Sequence, residues 1–378
     1  MSDWVEMRLG EVVTLHYGKS LPANKRIDGN IPVYSSAGLT GWHNKALVKS
    51  EALIIGRKGT IGKVYKTKVP FFAIDTSYYI LPDIDKYNFD YLFYMLSDMG
   101  LDELNEDSAV PGLNRETAYS QEVSLPPLPE QKAIAEVLSS LDDKIDLLHR
   151  QNKTLESLAQ TLFRQWFIEE AQEGWEEGML GGICNITGGY AFKSKDFIDD
   201  GIPIIKIKNI SNNRVKLLDK QFVSHNVALN IHRKFKLVNG DIVMAMTGAT
   251  IGKVGLVHTL NYDFLLLNQR VAVIRGKQQA LLWFLLNAIN LEDDILNASN
   301  GAAQANISTD GIASVEIPKI DKKLAKKFSL IAEPMFDKIL SNQKQIKTLE
   351  SLRNTLLPKL ISGAVRVEFD NNQQMEVL

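Results

Sequence analysis

Two short words in this chain have the makings of an anion-binding turn. Thr60-Ile61-Gly62-Lys63-Val64 recurs letter for letter as Thr250-Ile251-Gly252-Lys253-Val254, and a glycine turn followed by lysine can bring backbone N–H groups and a positive charge to a phosphate. The spacing excludes nucleotide hydrolysis. A Walker loop needs a glycine five residues before the second one and a hydroxyl after the lysine; Arg57 and Thr247 stand at the first place, Val64 and Val254 at the second. What remains is a tight turn between strands that carries Lys63 or Lys253. Other chemistry finds no constellation. The six histidines are scattered without metal-ligand spacing, and the single cysteine, Cys184, lies between isoleucines and asparagine, a setting for packing. No nucleophile elbow and no dinucleotide fingerprint occurs. The sequence therefore reads as a binding protein, without a metal or cofactor of its own.

The polar residues left over suit the edges of bases and the phosphates beside them. In the first half, Tyr34, Ser35, Ser36, Trp42, His43 and Asn44 fall in a glycine-rich stretch flanked by Lys25, Arg26 and Lys45, with Arg57 and Lys58 ahead of Lys63. In the second half, Lys206, Lys208, Asn209, Asn212, Asn213 and Arg214 follow Lys193 and precede Lys253. Asparagine pairs bidentately with adenine and arginine with guanine, while lysines hold phosphates. Charge agrees. The net charge of −2 hides ten Lys/Arg against Asp28 and Glu51 over residues 19–68, and eight against Asp219 alone over 206–236. Local positive surface is the footprint of a polyanion such as double-stranded DNA.

The elements that must position these residues occur twice. Trp4, Leu9, Gly10 and Gly18 recur 171 positions later as Trp175, Leu180, Gly181 and Gly189, and Ile31-Pro32-Val33 recurs as Ile202-Pro203-Ile204 at the same shift. The Gly-Lys turn recurs at a shift of 190, so the second copy has gained 19 residues in between. Asn114 then aligns with Asn306, Leu125-Pro126 with Ile317-Pro318, and Lys153–Leu158 returns intact as Lys347–Leu352. Short apolar runs between Gly, Pro and Asn predict a mixed α/β region over 1–127 and another over 173–320. A long helix follows each, over 128–172 and 321–364, with a tail at 365–378. Ile134, Leu141, Leu148, Leu155 and Leu162 repeat every seven residues, a coiled-coil seam completed by Val137 and Leu158. The second seam is Phe328, Ile331, Met335, Leu349, Leu352 and Leu356, and Pro334 predicts a kink or a break. In this frame Lys144, Gln151, Lys338 and Gln345 fall in the seam, as setters of register or as contacts to another subunit. The fold class is α+β, an internal duplication with two long helices expected to pair.

Composition agrees with such a protein. At 378 residues there is room for two or three domains. No apolar run spans a bilayer, no signal peptide opens the chain, and one cysteine fits a reducing cytoplasm.

The order of these words resembles the specificity subunit of type I restriction-modification systems, over essentially the whole chain. The most specific words are Trp4…Leu9-Gly10, Gly59–Val64, Pro127-Leu128-Pro129-Glu130-Gln131, Thr161-x-Phe163-x4-Phe167, Leu267-Asn268-Gln269-Arg270 and Gln304-x-Asn306-Ile307-Ser308. Pro318-Lys-Ile-Asp-Lys departs from the Leu-Pro-Glu-Gln start at the second helix. The resemblance implies two target recognition domains, each reading half of a split, asymmetric DNA target, and two helices paired antiparallel as a spacer. It implies two methyltransferase subunits docked on this scaffold and restriction subunits on that complex, with S-adenosylmethionine, ATP and Mg²⁺ belonging to those partners.

Overall fold

The computed structural model describes residues 4–105, 112–170, 176–217, 221–288 and 306–367. The chain forms two compact units, residues 1–144 with 349–378 and residues 145–348. The division falls inside both long helices, so each unit owns one α/β part and the helical segments packed on it.

In the first unit the central strand Ala52–Gly56 lies between Ser77–Ile80 and Val64–Thr67, with His16–Tyr17 at the edge. Strand side chains alternate between faces. Leu53 and Ile55 therefore enter a core with Leu9, Leu15, Tyr91 and Leu92, whereas Ala52 and Ile54 meet Phe71 and Ala73 on the other side. A second small sheet, Gly38–His43, Ile31–Ser35 and Phe72–Ala73, covers that side. The second unit repeats the four-stranded sheet as Asn185–Gly188, Val271–Arg275, Ile242–Ala245 and Val254–Leu256. It then adds two strands, Asn213–Val215 and Ile210–Ser211, drawn from the longer stretch between the repeated words.

The Gly-Lys turn repeats because backbone geometry demands it. Gly62 and Gly252 have φ of 71° and 80°, a left-handed conformation costly to any side chain with a Cβ. Their N–H groups close the turn on the carbonyls of Gly56 and Ala245 at 2.9 and 3.0 Å, while Ile61 and Ile251 are buried beneath it. The lysines project from a structural hairpin.

Strand registers correct one part of the sequence alignment. Met7 pairs with Val123, and its counterpart Gly178 pairs with Ile317; Asn114 and Ser308 cap equivalent short helices. Beyond the Gly-Lys turn the shift is therefore 194. Asn114 matches Ser308, not Asn306, and Val123 matches Ile317, because pairing geometry follows the helix cap and the strand register, not the chance recurrence of Asn and Pro.

The first long helix spans Leu128–Arg164 and continues into a π-helical turn, Gln165–Glu169. The second spans Lys322–Ile361 as one 40-residue element that passes through Pro334 unbroken. Asp321 replaces the missing Leu-Pro-Glu-Gln start, its carboxylate accepting from the N–H groups of Lys323 and Leu324 at 2.9 and 2.8 Å, an ordinary N-cap. Within each unit the helices run antiparallel: Arg353 meets Asp142 in the first, and Phe328 meets Phe163 in the second.

The seam differs from expectation by one residue. Ile134, Leu138, Ile145, Leu148, Asn152, Ala159 and Phe163 are buried, but Lys144 and Gln151 are exposed, as are Lys338 and Gln345. Ile331 and Leu352 of the second seam are exposed as well, and Ala332, Ile339, Asn342 and Ile346 are the buried ones. Asn152 and Ala159 in the first helix and Ala332 and Asn342 in the second are small or polar, and they hide the true frame. The buried polar layer is Asn152 and Asn342, 3% and 0% exposed, and Gln151 joins it from the surface: Asn342 Nδ2 donates to the side-chain oxygens of Asn152 and Gln151, both at 2.8 Å. Buried asparagine pairs cost stability and fix alignment. At the shift of 194 their mates are Ile346 and Leu148, so the polar layer also distinguishes one helix from the other.

Candidate nucleic-acid interface

In the first unit the candidate residues separate into two places. Ser36 N–H donates to Thr76 Oγ1 at 3.3 Å, and the N–H groups of Arg57 and Lys58 donate to the Thr76 carbonyl at 2.9 and 3.1 Å. The Ser35-Ser36 turn and the Gly-Lys turn thus share one edge with Arg57 and Lys58, and Lys63 is exposed on the same turn. Tyr17 and Arg115, which local sequence does not single out, complete this edge through contacts with Arg57 and with each other. The hairpin end holds Lys25, Arg26, Trp42, His43 and Asn44. Trp42 is 52% exposed, and Lys25 and Asn44 are exposed beside it. Two members of the set hold structure instead: buried His43 accepts from Ile27 N–H through Nδ1 at 3.0 Å, and Tyr34 packs its ring edge-on to Phe71. Arg26 Nη1 donates to the Thr40 carbonyl at 2.7 Å, bracing the hairpin.

In the second unit the structure claims more of the candidates. Asn209 is buried, accepting from Lys206 N–H and donating to the Lys216 carbonyl, both at 2.9 Å. Lys206 Nζ bonds Gln221 Oε1 and lies 4.7 Å from the Phe197 ring centre, and burial, then the charge of Lys208, lowers its pKa. Lys208 and Lys193 are exposed, Lys253 half-buried. Asn212 and Asn213 take positive φ at the hairpin tip, 52° and 58°, which asparagine tolerates better than most residues.

That tip faces the first long helix. Asn212, Asn213 and Arg214 line a cavity of about 430 Å³ with Lys153, Glu156, Ser157 and Gln160 of the helix and with His258. Burial raises the Glu156 pKa against the lowering pull of Arg214. Burial and then Arg214 push His258 down to about 4, and its buried Nδ1 has no hydrogen-bond partner among the described residues. The expected base-reading tip thus stands across this cavity from the first long helix. Because the unfolded chain protonates His258 near the usual 6.5, stability is full above that pH and falls between about 6.5 and 4. We expect His258→Gln to remove on the order of 2 kcal/mol of the stability lost between pH 6.5 and 4.5. Urea titrations of both proteins at the two pH values measure it, and equal losses would refute the assignment.

A basic surface outside the candidate set lies elsewhere on this unit. His232, Arg233, Lys234, Lys236, Phe264 and Arg275 line a cavity of about 580 Å³, with Asp263 at its wall. Arg275 forms a bidentate pair with Asp241 at 2.7 and 2.5 Å, while Lys236 lies 4.6 Å from the Phe264 ring centre. The run of cations between 233 and 236 was visible in the sequence; its gathering with Arg275 was not.

Among the described residues no group of three His, Cys, Asp or Glu side chains could hold a metal, and no helix is long and apolar enough to cross a membrane. Cys184 is buried, its thiol pushed up to about 11 by burial. The sequence matches the type I restriction modification DNA specificity domain twice, over residues 1–157 and 172–351. The chain belongs to that family. As a specificity subunit it supplies DNA recognition to a restriction-modification complex and has no catalytic activity itself. It is 28% identical to the type I restriction enzyme MjaIX specificity subunit of Methanocaldococcus jannaschii, over 89% of this chain and 84% of that one. It is 23% identical to the MjaVIII specificity subunit of the same organism, over 97% and 94%. The crystal structure of a type I restriction-modification S subunit from M. genitalium shares the fold, with a TM-score of 0.69 at 16% identity, covering 95% of this chain and 96% of that one.

Proposed function

We propose that each α/β part of this specificity subunit reads one half of a split, asymmetric double-stranded DNA target, with the helix pair as the spacer that sets the gap. One observation carries this reading: the four-stranded sheet and its Gly-Lys turn repeat, while the residues mounted on them do not. A repeated frame with unlike loops binds two unlike sequences. Two methyltransferase subunits dock on the scaffold, and restriction subunits join through that complex. Support for two equal partners comes from Lys153–Leu158 and its identical copy Lys347–Leu352, whose last leucines are 46% and 44% exposed, outside the seam. A surface written twice in the same letters serves two copies of one partner. S-adenosylmethionine, ATP and Mg²⁺ belong to those partners, and the assembly works in the cytoplasm.

Mapping methylated adenines in DNA from cells carrying the system tests this. The expected result is one bipartite motif with different halves and a fixed gap. Affinity of the assembled complex should also fall steeply with salt as condensed counterions are released. A continuous or palindromic motif, or affinity indifferent to salt, would overturn the reading; the latter favours a protein-binding adaptor.

A further inference from the structure

At the edge of the four-stranded sheet of the first unit, two guanidinium groups rest on a floor of tyrosines. Arg57 lies 4.9 Å from the Tyr17 ring centre and 5.7 Å from that of Tyr78; Arg115 lies 5.2 Å from Tyr17 and 5.8 Å from Tyr119. The floor is anchored. Tyr78 is 1% exposed and donates its hydroxyl to the Leu113 carbonyl at 3.1 Å, while the Tyr119 hydroxyl accepts from Leu15 N–H at 2.8 Å. Tyr17, 46% exposed, leans edge-on against Tyr78 at 5.1 Å and separates the two arginines.

We infer that Tyr17, Arg57 and Arg115 form the contact of the first unit with a guanine of the half-site that this unit reads. The inference rests on the proposed division of the target between the units. Contact with the tyrosine rings restrains each guanidinium before the ligand arrives, which lowers the entropy lost on binding. Arg57 is pinned further, its Nη1 donating to the Asp75 carbonyl at 3.1 Å. Among the described residues Arg115 makes no hydrogen bond; its Nε stands 3.5 Å from the carboxylate of Glu116, a side chain 76% exposed. So weak a surface pair leaves the planar Nη groups for a ligand. A donor-only fork restrained in this way matches the paired acceptors O6 and N7 of guanine, and no other base presents two acceptors in the major groove.

A phosphate could accept from the same fork, and the duplication decides between them. Strand registers and turn hydrogen bonds place Gly188 at the position of Tyr17, Met246 at that of Arg57 and Thr309 at that of Arg115. The floor is gone as well, with Ala272 for Tyr78 and Ala313 for Tyr119. The geometry persists without the chemistry: a Cβ on Gly188 would meet Thr309 Cγ2 at 3.4 Å, as Tyr17 meets Arg115. Phosphates are alike along DNA, so a backbone contact at this edge would be wanted in both units. A contact found in one unit alone is a contact with sequence.

Arg115→Lys tests this, because it keeps the charge and removes the fork. The measurement is methylation of duplexes carrying single substitutions in the mapped target, by the complex with its methyltransferase partner. Discrimination at one G·C pair of one half-site should fall about 10- to 100-fold, with the other half-site and the salt dependence unchanged. Tyr17→Ala should weaken the same base pair and no other. The inference is overturned if Arg115→Lys keeps full discrimination throughout, or if Arg115→Ala weakens every duplex by one factor and lowers the salt slope, the mark of a phosphate contact. Failure of the unaltered complex to discriminate sequence in two separate halves would instead defeat the division of the target itself.

Discussion

Tandem duplication of Ile145–Gln151 in the first long helix, matched by duplication of Gln343–Leu349 in the second, lengthens the gap of the DNA target by on the order of 3 base pairs and leaves both half-sites unchanged. Seven residues add about 10 Å of helix, and DNA rises about 3.4 Å per base pair. A heptad is two turns, so the seam stays in phase. The chosen segments carry their own seam residues, Ile145 and Leu148 on one side and Ile346 on the other, and none of these three belongs to the core of either α/β part. They lie between Asp142 and Asn152 on one helix and between Asn342 and Arg353 on the other, so both cross-helix contacts survive. Duplication in one helix alone leaves the helices unequal by two turns between these two contacts, so one of them is lost and modification should be abolished. Three base pairs also turn the second half-site by about 100° around the DNA axis, whereas a heptad turns the helix face by only ~20°. Methylation of the lengthened target is therefore slower than that of the original, by the cost of twisting the gap. The location of methylated adenines reads the result directly, and an unchanged gap would end the spacer role.

The sequence disclosed what is repeated and hid what is gathered. The Gly-Lys turn was legible because positive φ forces the same letters twice, and the two helices because leucine recurs every seven residues. The seam was legible by half. Leucine marks one of its two positions, while Asn152 and Ala159 in the other give no apolar signal, so that their neighbours Gln151 and Leu158 read as seam residues, as Lys144 does beside Ile145. Candidate side chains went astray for a related reason. Asn209 and His43 are as polar as any base-reading residue, and their burial is decided by the carbonyl and N–H groups that the fold brings to them. Tyr17 and Arg115 show the reverse. Each stands in unremarkable local sequence, and only strand pairing and a helix cap set them side by side.

Arg366→Ala should cost about 3 kcal/mol, at the lower end of the range for breaking a buried ion pair because its own side chain is 46% exposed. Its partner Glu130 is fully buried at the start of the first long helix, accepting from Arg366 Nε and Nη2 at 2.5 and 2.7 Å and from Trp4 Nε1 at 3.0 Å. Removing the arginine strands a carboxylate in the core and loosens the segment after the second helix from the first unit. Removing the acid is a different experiment. Glu130→Leu should cost only about 1 kcal/mol, since a half-exposed guanidinium returns to water and the leucine joins apolar neighbours. The duplication already contains that solution: the counterpart of Glu130 at the shift of 194 is Leu324, which packs on the core of the second unit. Glu130→Leu with Arg366→Leu should then lie near the unaltered protein. Urea unfolding, with hydrogen exchange followed over residues 4–17 and 356–365, compares the three. The account fails if Glu130→Leu is as damaging as Arg366→Ala, for then the junction depends on the charge pair itself and not on the avoidance of a stranded charge.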